Sequence, residues 1–157
     1  MKTILAPAIT ALVAAVSSVL CAHIGVPVWT MFIGWIAFVA GGMSLQTAPA
    51  TFVCAALGVA EGFIGAAIIG GGAAALGADG ALLLGVFIIV FAALLAQHLP
   101  FANLVVCYFI GMTTFFASGL PSTPDTALIL CGGLLIGILS GVIAGRLAGL
   151  VARPASA

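Results

Sequence analysis

The sequence predicts an all-α integral membrane protein of six transmembrane helices, arranged as two inverted-topology three-helix repeats. Three observations predict it. The chain of 157 residues is 65% hydrophobic and only 4% charged, with a mean hydropathy of +1.48. A soluble domain carries about 25% charged residues, so three basic and three acidic side chains cannot build a water-facing surface. The apolar residues fall into six runs separated by turn residues. One line is written twice: Phe32-Ile33-Gly34 with Phe38, Ala40 and Gly42 returns as Phe109-Ile110-Gly111 with Phe115, Ala117 and Gly119, at an offset of 77 from Phe32 to Phe109.

About 20 apolar residues cross the hydrocarbon core as a helix. The first predicted span is 3–22, opening after Lys2. Its end at Cys21 resembles a lipoprotein signal, but Leu20 stands where a small residue is expected before the cysteine, and no small-x-small site is clean. The segment is therefore expected to remain as a transmembrane helix. The second span is 27–42, short enough to be tilted or broken, and the third is 49–69. A triple glycine, Gly70 to Gly72, and Ala78-Asp79-Gly80 are the expected break before the fourth span, 80–96. The fifth is 101–118 and the sixth 126–151. Pro27, Pro49 and Pro100 stand at the expected helix starts, where proline is tolerated.

The repeats are then about 3–72 and 80–151, within a single membrane domain spanning 1–157. Leu20 and His23 match Leu95 and His98 at offset 75, and Gly58, Gly62, Ala66 and Gly70 match Gly133, Gly137, Gly141 and Gly145 at the same offset. Cys54 matches Cys131 at 77. Three is odd, so the second repeat enters the membrane from the opposite side. Lys2, Arg146 and Arg153 cluster at the chain ends, whereas Asp79 and Asp125 fall in loops of the other face. The positive-inside rule places both termini in the cytoplasm.

Gly133, Gly137, Gly141 and Gly145 recur every fourth residue, as do Gly58 and Gly62. Such ladders let helix backbones approach closely in lipid, within one protomer or between copies. A chain this short has little interior, so a homo-oligomer surrounded by lipid is expected. The zero net charge gives no reason to expect nucleic acid. The four cysteines sit in apolar runs without a CxxC pair or metal spacing, as small hydrophobes. No catalytic grouping is present, so neither an enzyme nor a cofactor or metal site is expected.

The polar groups at membrane depth are the candidate site. Glu61 is near the middle of the third span, where a charge costs roughly 2.5–3.5 kcal/mol on insertion scales. Its repeat position is Ile136 or Ile138, so it has no acidic twin. Glu61 is read either as a proton or cation site, or as a neutral acid bonded to a neighbouring helix. His23 and His98 stand at equivalent helix ends, as vestibule groups or interfacial caps. The matched rings Phe32, Phe38, Phe109 and Phe115 are the candidate solute pathway, with Gly34 and Gly111 leaving carbonyls open beside them and Thr113 and Thr114 adding hydrogen-bond partners. A slot of rings suits a small flat uncharged solute. The alternative is that the rings are ordinary core.

The lines from Trp29 to Ala40 and from Phe109 to Gly119 resemble the YcdZ-like family of small bacterial inner-membrane proteins. That resemblance implies a multi-pass inner-membrane protein and brings no substrate. A looser architectural analogy is to urea transporters, whose inverted halves also surround phenylalanine-lined slots, although their signature motif is absent. Three functions are therefore expected to compete: a channel or uniporter for a small urea-like or amide-like solute, a proton- or cation-coupled transporter using Glu61, and a non-conducting structural or assembly subunit.

Overall fold

A computed structural model describes residues 2–152, and all regular structure among them is helical. The helices are α1 (Lys2–His23), α2 (Val28–Ala40), α3 (Ala48–Leu95), α4 (Val105–Ser118) and α5 (Pro124–Ala152), with one 3-10 turn at Ala96–His98. Three stretches are long and apolar enough to cross a membrane, Ile4–His23, Ala48–His98 and Pro124–Val151. The shorter α2 and α4 have 13 and 14 residues. At 1.5 Å per residue each is about 20 Å long, some 10 Å less than the hydrocarbon core. These two short helices carry the repeated F-I-G line.

The length of α3, 48 residues, would make a straight rod of roughly 72 Å. It is instead a hairpin. Gly77 adopts φ 71° and ψ 170°, a region essentially confined to glycine because a Cβ would clash there. The chain turns back at this residue. Gly65 packs against Ile89, Gly85 against Ile69, and Gly72 against Ala81, so arms 48–76 and 78–95 run antiparallel. The break expected at Gly70 to Gly72 is thus corrected. Those glycines remain helical, and the reversal falls at the single residue whose dihedrals are not. The fifth span also starts later than expected. Residues 101–104 are non-helical and α4 begins at Val105. Pro100 therefore belongs to a connector, whereas Pro27 caps α2 and Pro49 enters the first turn of α3.

Two close helix crossings build the interior. In the first, Gly34 of α2 lies against the Leu134 backbone of α5, and Gly137 lies against the Met31 carbonyl and the Gly34 backbone. In the second, Gly111 of α4 lies against the Ala55 carbonyl of α3, and Gly58 against the Tyr108 carbonyl. A Cβ at any of these glycines would collide with main chain. Phe38 covers Gly141 in the first crossing, and Phe115 covers Gly62 in the second. Residue numbers rise together across each contact, so both crossings are parallel. α1 packs chiefly on α5, and the second arm of α3 on the first.

The crossings correspond residue by residue. Met31 and Tyr108 are 77 positions apart, as are Phe38 and Phe115. The glycines they cover, Gly58 with Gly137 and Gly62 with Gly141, are 79 apart. The ladder spacing alone pairs Gly58 with Gly133 and Gly62 with Gly137, one turn from the glycines that make the matching contacts. A ladder with a four-residue period matches itself equally well after a shift of one turn. Only the ring or carbonyl that each glycine faces fixes the register.

The larger buried cluster joins Cys54, Ala55 and Val59 of α3, Cys107, Tyr108 and Phe115 of α4, and Leu130 and Leu134 of α5. A smaller one joins Phe38, Ala48, Ile138 and Val142. Tyr108 donates its hydroxyl to the Ala102 carbonyl at 3.1 Å, which ties the non-helical connector before α4 to the core.

Candidate functional site

The four matched rings do not converge. Phe38 and Phe115 are buried in separate clusters, at 3% and 4% exposure. Phe115 packs 4.6 Å from Phe63 and 5.2 Å from Phe116, centroid to centroid. Phe32 and Phe109 are exposed. Phe32 lines an open apolar groove of about 630 Å³ between α1 and α2, with Pro7, Thr10, Trp35 and Ile36. Phe109 lines two smaller grooves, one with Ile33 and Ile36 of α2 and one with Val86 and Ile89 of α3, and Thr113 lies in both. These grooves open to the surroundings, and the rings sit on different walls of the molecule.

Gly34 and Gly111 do not leave backbone open beside the rings, because each is closed by a neighbouring helix backbone. Thr114 is buried and donates to the Ile110 carbonyl at 2.7 Å, so its proton is committed within α4. His23 and His98 are exposed helix-end residues. His23 Nδ1 is 2.8 Å from the Val19 carbonyl, and His98 Nε2 is 3.4 Å from Gln97 Nε2. The four cysteines are unpaired, and three are buried. Among the described residues no three His, Cys, Asp or Glu side chains gather in a way that could hold a metal.

The glycines of the ladders divide by contact. Gly133, Gly137 and Gly141 receive Thr30, Met31 and Phe38 of α2, and Gly58 and Gly62 receive α4. Gly145, Gly149 and Gly70 have nothing within 4 Å of a Cβ position. The packing face of the first α3 arm continues through Gly65, which lies against Ile89 and Phe116. Sequence reading passed over Gly65 because it breaks the four-residue spacing, although a helical face alternates spacings of three and four.

Glu61 stands apart. Its Oε2 is buried and has no hydrogen-bond partner among the described residues. It precedes Gly65 by one turn, on the face where Gly65 meets Ile89 of the second arm and Phe116 of α4. Extending the antiparallel register places Ala93, itself fully buried, opposite it. The glycine correspondence gives Glu61 the counterpart Ser140, not Ile136 or Ile138. Ser140 is paired: its hydroxyl is 2.7 Å from Ser17 of α1 in a buried contact, and it also donates to the Ile136 carbonyl at 2.7 Å. The sequence signal for this pair was two serines inside apolar runs. Their meeting depends on the packing of α1 on α5.

The chain belongs to the family described as "Protein of unknown function (DUF1097)", whose profile matches residues 8–149. No curated protein and no solved structure matched it.

Proposed function

We propose that this member of the family is a six-span, inverted-repeat membrane transporter that couples movement of a small solute to a proton or another small cation through Glu61. Its support begins with the membrane reading of the long apolar helices. The α3 hairpin supplies two antiparallel arms, and the connectors around α2 and α4 lengthen those short helices toward a full crossing. Two parallel crossings, α2 on α5 and first arm on α4, are what alternating spans of an inverted repeat require. The matching ring and carbonyl contacts support the same reading.

The observation that carries the coupling is the unpartnered Oε2 of Glu61. An acid inside an apolar bundle that met only a structural need would be hydrogen-bonded, as Ser17 and Ser140 are. Acids at membrane depth mark ion or proton pathways. The divided placement of the four rings gives no matching support to an uncharged-solute slot within one protomer. The resemblance to YcdZ-like proteins supports the bacterial inner membrane as the location. Lys2, Arg146 and Arg153 support cytoplasmic termini, though Arg153 lies outside the described residues. The long row of exposed apolar side chains on every helix fits lipid and further copies of the chain as neighbours.

Proteoliposomes test the proposal. Uptake across a panel of small amides, amines and inorganic cations is followed with and without a pH gradient or a sodium gradient. Gradient-dependent uptake that falls at least tenfold in Glu61→Gln is the expected outcome. Uptake of urea or an amide with no gradient, unchanged in Glu61→Gln, would favour the channel. No flux of any solute would favour a structural subunit.

A further inference from the structure

The ligand of Glu61 follows from what surrounds it, and this step rests on the transport reading above. We infer that Glu61 is a proton site and not a metal-cation site. A sodium-sized ion held in a membrane needs several oxygens. Transporters supply them from helices unwound at the site, whose freed carbonyls join the carboxylate. Here the first arm of α3 is unbroken around Glu61. The one non-helical residue in α3 is Gly77, four turns away, so the neighbouring carbonyls remain in the helix ladder.

Side chains supply no substitute. The arm-to-arm contacts pair Gly65 with Ile89, Ile69 with Gly85 and Gly72 with Ala81, and continuing that register sets Glu61 toward the buried Ala93 and Ala96. Among these residues only Glu61 has a side-chain oxygen. On α4, Tyr108 donates to the Ala102 carbonyl and Thr114 to the Ile110 carbonyl, and neither hydroxyl is bonded to Glu61 Oε2. The remaining titratable groups on the packed elements are Cys107 on α4, Cys131, Asp125 and Arg146 on α5, and Asp79 and His98 at opposite ends of the second arm. None of them bonds to Oε2. One carboxyl with no accompanying ligands can hold a proton, which needs a single oxygen, and cannot build a metal shell. His98 and Gln97 lie about one turn beyond Ala93 and are exposed, so the arm-to-arm seam leads from Glu61 toward a wet helix end.

Dicyclohexylcarbodiimide tests this on the full chain in liposomes. It adds to a protonated carboxyl in an apolar setting: the carboxyl oxygen bonds to the central carbodiimide carbon while the acid proton moves to a carbodiimide nitrogen. Labelling is read by mass spectrometry of the peptide containing Glu61, with Asp79 and Asp125 peptides as internal references. The expected result is labelling at Glu61 that falls at least tenfold from mildly acidic to alkaline pH and is unchanged by excess sodium, potassium or lithium. Protection by one of these ions at constant pH would overturn the inference while leaving cation-coupled transport standing. Absence of labelling in folded protein at every pH would also overturn it. Proton-type labelling in protein that moves no solute would sink the transport reading and leave the proton site intact.

Discussion

The α2–α5 crossing and the α4–α3 crossing use the same device: glycine against backbone, with a phenylalanine ring over the next glycine. Beside these matched crossings the molecule differs. Where α1 meets α5, two serine hydroxyls close on each other. On the first arm of α3, one carboxyl oxygen, Glu61 Oε2, has no partner among the described residues. Packing is shared between the two regions, and their polar groups differ. A hydrogen bond between helices in lipid holds them together. An unsatisfied acid contributes no such hold and carries a desolvation cost, which is a reason to read it as functional.

The comparison is broken most severely by filling a crossing. Gly137→Leu and Gly111→Leu should each cost more than ~3 kcal/mol by overpacking, since their Cβ positions already collide with main chain. Loss of monodisperse protein in detergent is the expected readout for both. Gly145→Leu, which meets nothing in the protomer, should leave the protomer's thermal unfolding unchanged, and a change in subunit number there would show that this end of the ladder contacts a second copy.

Truncating the covering rings comes next. Phe38→Ala and Phe115→Ala should cost about 3 kcal/mol each, whereas Phe32→Ala and Phe109→Ala, being exposed, should cost under about 1 kcal/mol. Thermal unfolding in one detergent checks all four. Equal losses at the four rings would contradict the division into buried and outer pairs. Gly77→Ala should cost about 1–3 kcal/mol, because alanine is strained at φ 71°. Ser17→Ala should cost about 0.6 kcal/mol, the average for interhelical hydrogen bonds in a membrane protein. Glu61→Gln should abolish uptake in protein that still elutes as the wild type does in detergent, and Ser140→Ala should retain uptake. Loss of uptake in both would make the two regions alike after all.

Much of this was legible in the sequence. Helices apolar enough to cross a membrane, the helical class, the positions of most breaks and the recurrence of Phe32-Ile33-Gly34 as Phe109-Ile110-Gly111 all follow from local sequence: hydropathy over about 20 residues, turn residues, and a repeated line. Glu61 was legible for the same reason, since a charge-bearing side chain in an apolar run needs no fold to be noticed. The register of the glycine ladders was not legible. Repetition every four residues looks the same after a slip of one turn, and only a partner helix distinguishes Gly137 from Gly133. The rings were equally ambiguous, because all four are phenylalanines in the same frame. Which of them is buried depends on the side of α2 and α4 that meets another helix.

By itself, then, the sequence determined the long apolar helices and the recurrence of one F-I-G line, both properties of segments read one at a time. Tertiary structure alone decided that two of the four rings are buried and two exposed, and that Ser140 is bonded while Glu61 Oε2 has no partner among the described residues. Each of these depends on what a second helix places opposite a residue, and spacing along one helix carries no information about its neighbour.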